Sequence, residues 1–143
     1  MSQSELAERS AFQMILRAAE AIRGRFDKTL KAYGLTEPQF NVLRIVRGAG
    51  GQGVPAQEIG RRMITRVPDV TRLVARLEQK GLVVRERSEA DRRMVLTRLT
   101  PRGRKLLLRL DQPVDESHRQ QFAHMSKEDQ NELIRLLKTL CES

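Results

Sequence analysis

Fifteen of the chain's 27 lysines and arginines fall within residues 61–109, together with only 5 of its 18 acidic residues. All but Lys80 and Lys105 of those fifteen are arginine. A planar guanidinium forks onto phosphate oxygens and guanine edges through paired hydrogen bonds, which a compact ammonium does not. The window carries net +10 and the remainder of the chain net −1. A merely solvated surface would scatter such charge and favour lysine. The chemistry to expect is recognition of a polyanion, and nucleic acid above all. No Phe, Tyr or Trp lies in the window, so it offers no platform for stacked single-stranded bases, and duplex is the expected form.

Other chemistries find little support. His118 and His124 are six residues apart and would point to different faces of a helix, and neither makes a His-Glu-x-x-His pair. Ser117 beside His118 is an adjacency that cannot serve as nucleophile and base. Cys141, the one cysteine, forms neither an internal disulfide nor a zinc site. No enzymatic activity, cofactor or metal is expected. The lone cysteine suits a reducing cytoplasm. The opening MSQSELAERS has no basic stretch leading into an apolar run, and no 18-residue apolar span is present, so neither a secretory signal nor a membrane segment is expected. At 143 residues with 39% hydrophobic content, one domain with a real core is the natural size.

The elements that must position the arginines follow from periodicity. Phe12, Ile15, Ala19, Ile22, Phe26, Leu30 and Tyr33 recur at spacings of three and four, predicting a first helix over residues 4–33 that Gly34 stops. Thr36 with Gln39 reads as a capping box opening a second helix, 36–46, with Phe40 and Leu43 inward. Gly48, Gly50, Gly51 and Gly53 form a flexible turn or a very short strand, and lack the Lys and Ser/Thr of a phosphate loop. Pro55 is expected at the first position of a helix over 55–63. A fourth helix, 68–80, ends at Gly81. Val70, Leu73, Val74 and Leu77 make its packed side, leaving Asp69, Thr71, Arg72 and Arg76 opposite. Two short helices across a tight turn are the helix-turn-helix pattern.

Beyond Gly81 the period becomes that of strands: Val83–Arg87 and 94–99 flank a turn at 88–93, with Val95, Thr97 and Leu99 on one face. A basic hairpin in this place is a wing. Thr100 as N-cap and Pro101 open a further helix bearing Leu106, Leu107 and Leu110, which Pro113 would kink or end. Ser126 and Asp129 cap a last helix with Leu133, Leu136, Leu137 and Leu140 as its stripe. The expected fold is mainly α with a small β wing. A winged helix-turn-helix lobe would be joined to N- and C-terminal helices whose stripes, Phe12 and Ile15 with Leu133, Leu136, Leu137 and Leu140, either pack onto the same chain or, as expected here, form a dimer interface.

The string VTRLVARLEQKGLVVRERSEADRRMVLTRLTPRG, residues 70–103, resembles the winged helix-turn-helix regulators of the MarR family. The arginine-rich helix ending LEQKGL, the wing-tip Asp91-Arg92-Arg93 and the run LTPRG carry the likeness, and the helix order extends it along the whole chain. The resemblance implies a single domain over 1–143. Within it, 1–34 and 113–143 would be dimerisation helices, 36–100 the winged helix-turn-helix, and 101–112 the start of a long connecting helix. It implies a homodimer straddling an inverted-repeat operator, with helix 68–80 in the major groove and the wings in flanking minor grooves. By motif position Arg93 would be the minor-groove arginine, oriented by Asp91 through a charge-assisted hydrogen bond, while Arg92 would meet phosphate. Family members are commonly repressors released by small anionic or phenolic ligands bound between the dimer helices and the reading lobe. No residue of the sequence marks that pocket. The first helix lacks the cysteine of peroxide-sensing members, and the chain lacks the tryptophan of urate-responsive ones.

On the fourth helix, Arg72 and Arg76 are candidates for guanine, or equally for a phosphate contact or a solvated charge, and Thr71 for a thymine methyl or a phosphate. Asp69 could accept from cytosine or orient a neighbouring arginine. Thr65 and Arg66 would position the DNA backbone. The alternative is a ligand-independent regulator, or a sequence-independent basic protein associated with DNA or RNA. The latter would show lysine-rich tails and a wedge or stacking residue.

Overall fold

The computed structural model describes residues 1–142. The first helix, α1 (Gln3–Lys31), opens with a reciprocal cap. The Ser2 hydroxyl accepts the Glu5 N–H at 3.2 Å, and the Ser2 N–H reaches the Glu5 carboxylate at 2.7 Å. The helix ends two residues before the expected Tyr33. The Leu35 N–H folds back to the Leu30 carbonyl across Gly34, which leaves Tyr33 in the turn. Helix α2 (Glu37–Ala49) carries the Thr36–Gln39 box and runs three residues past the expected Val46, taking Gly48 into its last turn before Gly50 stops it.

Pro55 departs from expectation. It lies in the two-residue strand β1 (Val54–Pro55), opposite Leu96, with extended backbone (φ −72°, ψ 151°), and α3 (Ala56–Arg62) starts only after it. β1 is an edge strand, where a residue without an N–H is tolerated. Of the two readings of the glycine-rich stretch, the short strand follows it directly. Gly53 enters that strand at φ +82°, and a Cβ there would lie 3.0 Å from Arg98 Cγ and 3.1 Å from the Thr97 carbonyl oxygen. Both its backbone and its surroundings demand glycine.

Helix α4 spans Val70–Gln79, so Pro68 and Asp69 precede it and Lys80 caps its far end. Strands β2 (Val83–Arg87) and β3 (Val95–Leu99) form the wing. β3 is the centre of an antiparallel sheet in the order β1-β3-β2. Met94 belongs to the hairpin rather than to β3: its carbonyl accepts from the Ser88 N–H at 2.8 Å, and its own N–H donates to the Asp91 carbonyl. Of Val95, Thr97 and Leu99, only Thr97 is fully buried, because the strand end carrying Val95 projects beyond the core.

Helix α5 (Pro101–Gln121) continues through Pro113 as one element, so that of the two expectations, a kink or an end, the helix does not end there. The missing proline N–H removes one ladder bond, to the Arg109 carbonyl, but Leu107, Leu110 and Val114 on either side all sit in the core. Burial of that stripe outweighs one lost bond. The boundary drawn at residue 113 thus falls inside an element. Gly103, in the first turn, lies against the Leu82 carbonyl so closely that a Cβ would overlap its oxygen. Helix α6 (Lys127–Cys141) is capped at Ser126 as expected.

One core joins Leu30, Leu43, Ile59, Leu77, Leu107 and Leu110 from five helices. The outer parts of the molecule differ. α6 has no buried residue and α1 buries only Leu30. Phe12 is 63% exposed and Leu140 54%, with Ile15, Leu136 and Leu137 also exposed; Leu133 is half-buried.

Candidate nucleic-acid interface

Helix α4 is positioned from behind by Val74 and Leu77, both buried, so that Thr71, Arg72 and Arg76 project outward. Asp69 has a definite structural role. Its Oδ1 accepts the Arg72 backbone N–H at 3.0 Å, making it the N-cap that sets where the helix begins. It meets Arg72 at the backbone and makes no ion pair with a guanidinium among the described residues.

The turn between α3 and α4 is held by two long-range bonds. Asn41 Oδ1 accepts the Ile64 N–H at 2.8 Å, and the Thr65 hydroxyl accepts from Arg23 Nη2 on α1 at 3.2 Å. Thr65 is therefore engaged within the molecule, whereas Arg66 next to it is exposed and has no ion pair among the described residues. The sequence reading missed Asn41 and Arg23, since nothing in their local pattern marks contacts 23 and 42 residues away.

At the wing tip, Asp91 Oδ1 accepts both the Arg93 backbone N–H (3.1 Å) and Arg93 Nε (3.2 Å), while the Arg93 side chain remains 93% exposed. Arg87 Nη1 donates to the Arg92 carbonyl at 2.9 Å and ties the tip to β2, a contact also missed in the sequence. The tip thus presents Arg92 and Arg93 on a braced turn.

Ion pairs tie several of the arginines into the scaffold. Arg85 forks onto Glu78 (2.9 and 3.2 Å) and also donates its backbone N–H there, joining α4 to β2. These bonds, the side-chain ones foremost, hold the Glu78 carboxyl below the usual carboxylate range. Arg98 pairs with Glu86, and Arg61 and Arg62 with Glu58. Among the described residues, Arg66, Arg72, Arg76 and Arg92 make no ion pair within 4 Å. Their charge is available to an outside anion.

A cavity lies between α1, α2 and α5, at a place no residue of the sequence marked as a pocket. Its volume is about 310 Å³, and it is walled by Ile22, Phe26, Phe40 and Ile64. Phe26 and Phe40 meet edge to face at 5.7 Å, the Arg44 guanidinium lies 5.8 Å from the Phe40 centroid, and the His118 ring is 5.4 Å from Phe26. The Gln121 amide also lines the cavity, and both its nitrogen and its oxygen are buried without a hydrogen-bond partner among the described residues. Such an orphaned amide costs free energy unless something completes it. No group of three or more His, Cys, Asp or Glu side chains suited to a metal occurs among the described residues, and Cys141 is exposed.

Comparison with known proteins bears on this arrangement. A sequence profile of the MarR family matches residues 33–94. The homoprotocatechuate degradative operon repressor of Escherichia coli is 30% identical over 124 residues, spanning 87% of this chain and 82% of that protein. A MarR transcription factor from Planctomyces limnophilus superposes with a TM-score of 0.72 at 33% identity, covering 92% of this chain and 95% of the other. A MarR-like regulator from Bacillus cereus reaches a TM-score of 0.85 over 96% of this chain and 97% of that one, at 20% identity, a likeness of fold.

Proposed function

The chain belongs to the MarR family of DNA-binding transcription regulators, and from that premise we propose that it is a homodimeric repressor of an inverted-repeat operator. Its relatives are regulators, not enzymes. The observation that carries the reading is the set of unpaired arginines, Arg66, Arg72, Arg76 and Arg92, displayed with the Asp91-held Arg93 by one braced lobe. Helix α4 enters the major groove, where Arg72 and Arg76 fork onto guanine and Thr71 meets a thymine methyl or a phosphate. Arg93 reaches the minor groove, whose narrow A/T tracts concentrate negative potential. Arg92 and Arg66 hold phosphates; Thr65 serves indirectly, by fixing the turn. Asp69 sets the helix start and keeps Arg72 in register.

The dimer is formed by α1 and α6. Phe12, Ile15, Leu136, Leu137 and Leu140 are left exposed by the single chain, with Leu133 half-covered. Side chains of this size each gain about 1.5–3 kcal/mol on full burial. In this division of labour residues 36–100 read DNA, while residues 1–34 and the chain beyond 113 pair the protomers. Two lobes related by a two-fold axis would meet half-sites about one helical turn apart.

The effector site is the cavity beside Gln121. Its aromatic walls, the orphaned amide with one donor side and one acceptor side, and the Arg44 cation fit a small planar anion carrying a hydrogen-bonding group. The cavity is shared by dimer helix and reading lobe, so an occupant that prefers one lobe angle would shift the dimer away from DNA. Selection of bound duplexes from a random pool at two salt concentrations tests the proposal. An inverted repeat is the expected product. Binding that yields no motif and only fades with salt would instead favour a sequence-independent basic protein.

A further inference from the structure

Four cations converge on a groove that takes no part in the reading face. Arg102, Lys105 and Arg109 follow one another along α5 at spacings of three and four, and so share a face of that helix. Lys80, the C-cap of α4, faces them across a cavity of about 680 Å³. Among the described residues, no acidic side chain lines it. Like charges stacked on one helix face repel, and none of the four makes an ion pair among the described residues.

The groove is also shaped. Its floor is Leu35, Leu82 and Leu106, and the Tyr33 ring closes one end with the Arg109 guanidinium 5.6 Å from its centroid. Lys80 is already aimed, donating to the Gly34 carbonyl at 2.7 Å and to Gln39 Oε1 at 3.3 Å. Lys80 stands eight residues beyond Arg72, about 12 Å along the helix axis, and no residue of α3 or the wing tip lines the groove. A duplex is a broad convex surface, whereas this is a concave seat with an apolar base.

We infer that the groove between Lys80 and the Arg102–Lys105–Arg109 face of α5 binds a small, multiply charged oxyanion, a compound with several phosphate or carboxylate groups. Arginine forks and lysine point charges suit either acid. The apolar floor accommodates a short carbon body. The occupant would tie together the end of α4, the start of α5 and the turn joining α1 to α2. This site stands independently of the effector cavity beside Gln121.

Calorimetric titration of the full chain at constant potassium chloride tests the inference, with inorganic tripolyphosphate in one arm and citrate in the other. Saturable binding at one site per chain is expected. Replacing both Arg102→Gln and Lys105→Gln should weaken it at least tenfold. The pair Arg72→Gln with Arg76→Gln, equally depleted in charge, should leave it within about twofold. Both substituted pairs are exposed, and circular dichroism checks that each variant is folded. Binding of tripolyphosphate alone identifies phosphate as the partner chemistry, of citrate alone carboxylate, and of both a site governed by charge number. Non-saturable binding in both arms, or equal loss in the two double variants, would overturn the assignment. So would duplex affinity that falls as far in the Arg102/Lys105 variant as in the Arg72/Arg76 one, because the groove would then belong to the DNA backbone.

Discussion

Arg23 Nη2 lies 3.2 Å from the Thr65 hydroxyl, so a guanidinium on α1 holds the turn that leads into α4. The Nε of the same group is 2.8 Å from Glu37 at the start of α2. Arg23 also lines the cavity beside Gln121. One side chain on α1 therefore touches the cavity beside Gln121, the start of α2 and the turn into α4. Replacing Arg23 with Met should lower operator affinity by a few fold, since half-exposed pairs of this kind are worth about 1 kcal/mol or less. Thr65→Val should have a similar effect. Combined, the two should cost little more than Arg23→Met alone, because the contact of Thr65 with Arg23 is already lost in that variant. Fluorescence anisotropy on labelled operator measures all three, and full additivity would show that the contact does not matter for binding.

Arg72 is the sharper test of base reading. Arg72→Ala should cost about 1–3 kcal/mol on operator DNA and relax preference at one position per half-site. Repeated duplex selection with the variant would show this. Equal loss on operator and random DNA would assign Arg72 to phosphate instead.

For the wing, Arg93→Ala should weaken binding most where the operator flanks are A/T-rich. Asp91→Ala should give a smaller loss of the same kind, because Arg93 keeps its charge but loses the two bonds that hold it. Affinities for operators with A/T and G/C flanks, compared at one salt concentration, distinguish these outcomes from a uniform loss.

Gly103 offers a stability prediction. A methyl group there would overlap the Leu82 carbonyl oxygen, in the first turn of α5, where Thr100 caps the helix and also donates to the Gly81 carbonyl at 2.6 Å. Gly103→Ala should destabilise by about 1–3 kcal/mol through overpacking, despite alanine's better helix propensity. A lower urea midpoint at unchanged slope is the expected readout.

Acid should loosen the joint between α4 and the wing. The Glu78 carboxyl is held below its ordinary value by hydrogen bonds from the Arg85 side chain and then from its backbone. A group whose pKa is depressed by folding stabilises above its unfolded pKa, and that contribution is lost as the pH falls through the folded pKa. Glu78→Gln should therefore reduce stability at pH 7, by no more than about 1 kcal/mol for so exposed a pair. It should make no such difference in strong acid. Urea unfolding of both proteins at pH 7 and in strong acid checks the sign.

Much of this molecule is written at short range. The Thr36–Gln39 box, the Ser126 cap and the Thr100–Pro101 start each depend on partners three residues apart, and spacing alone reveals them. The wing hairpin and the arginine-rich face of α4 were legible for the same reason: period and composition are local properties. The Asp91–Arg93 contact also spans only two residues, and there the family resemblance pointed to it. Where local signals competed, tertiary packing decided. Pro55 has the chemistry of a helix start, yet its pairing with Leu96, 41 residues away, makes it a strand residue. Pro113 has the chemistry of a helix stop, yet Leu110 and Val114 are buried on either side of it and the helix continues.

The sequence by itself determined the helices, the wing and the concentration of positive charge that a duplex-binding lobe requires. It placed the arginines on a helix and a hairpin because those side chains repeat with the period of their own backbone. Only the tertiary structure decided which arginines were spent on internal pairs and which were left outward. It also decided that Gln121 is orphaned in a cavity, that Arg23 grips Thr65, and that Lys80 faces the α5 cations. Each of these depends on distance between segments far apart in the chain. That distance is set by how the common core of α1, α2, α4 and α5 closes, and no local period encodes it.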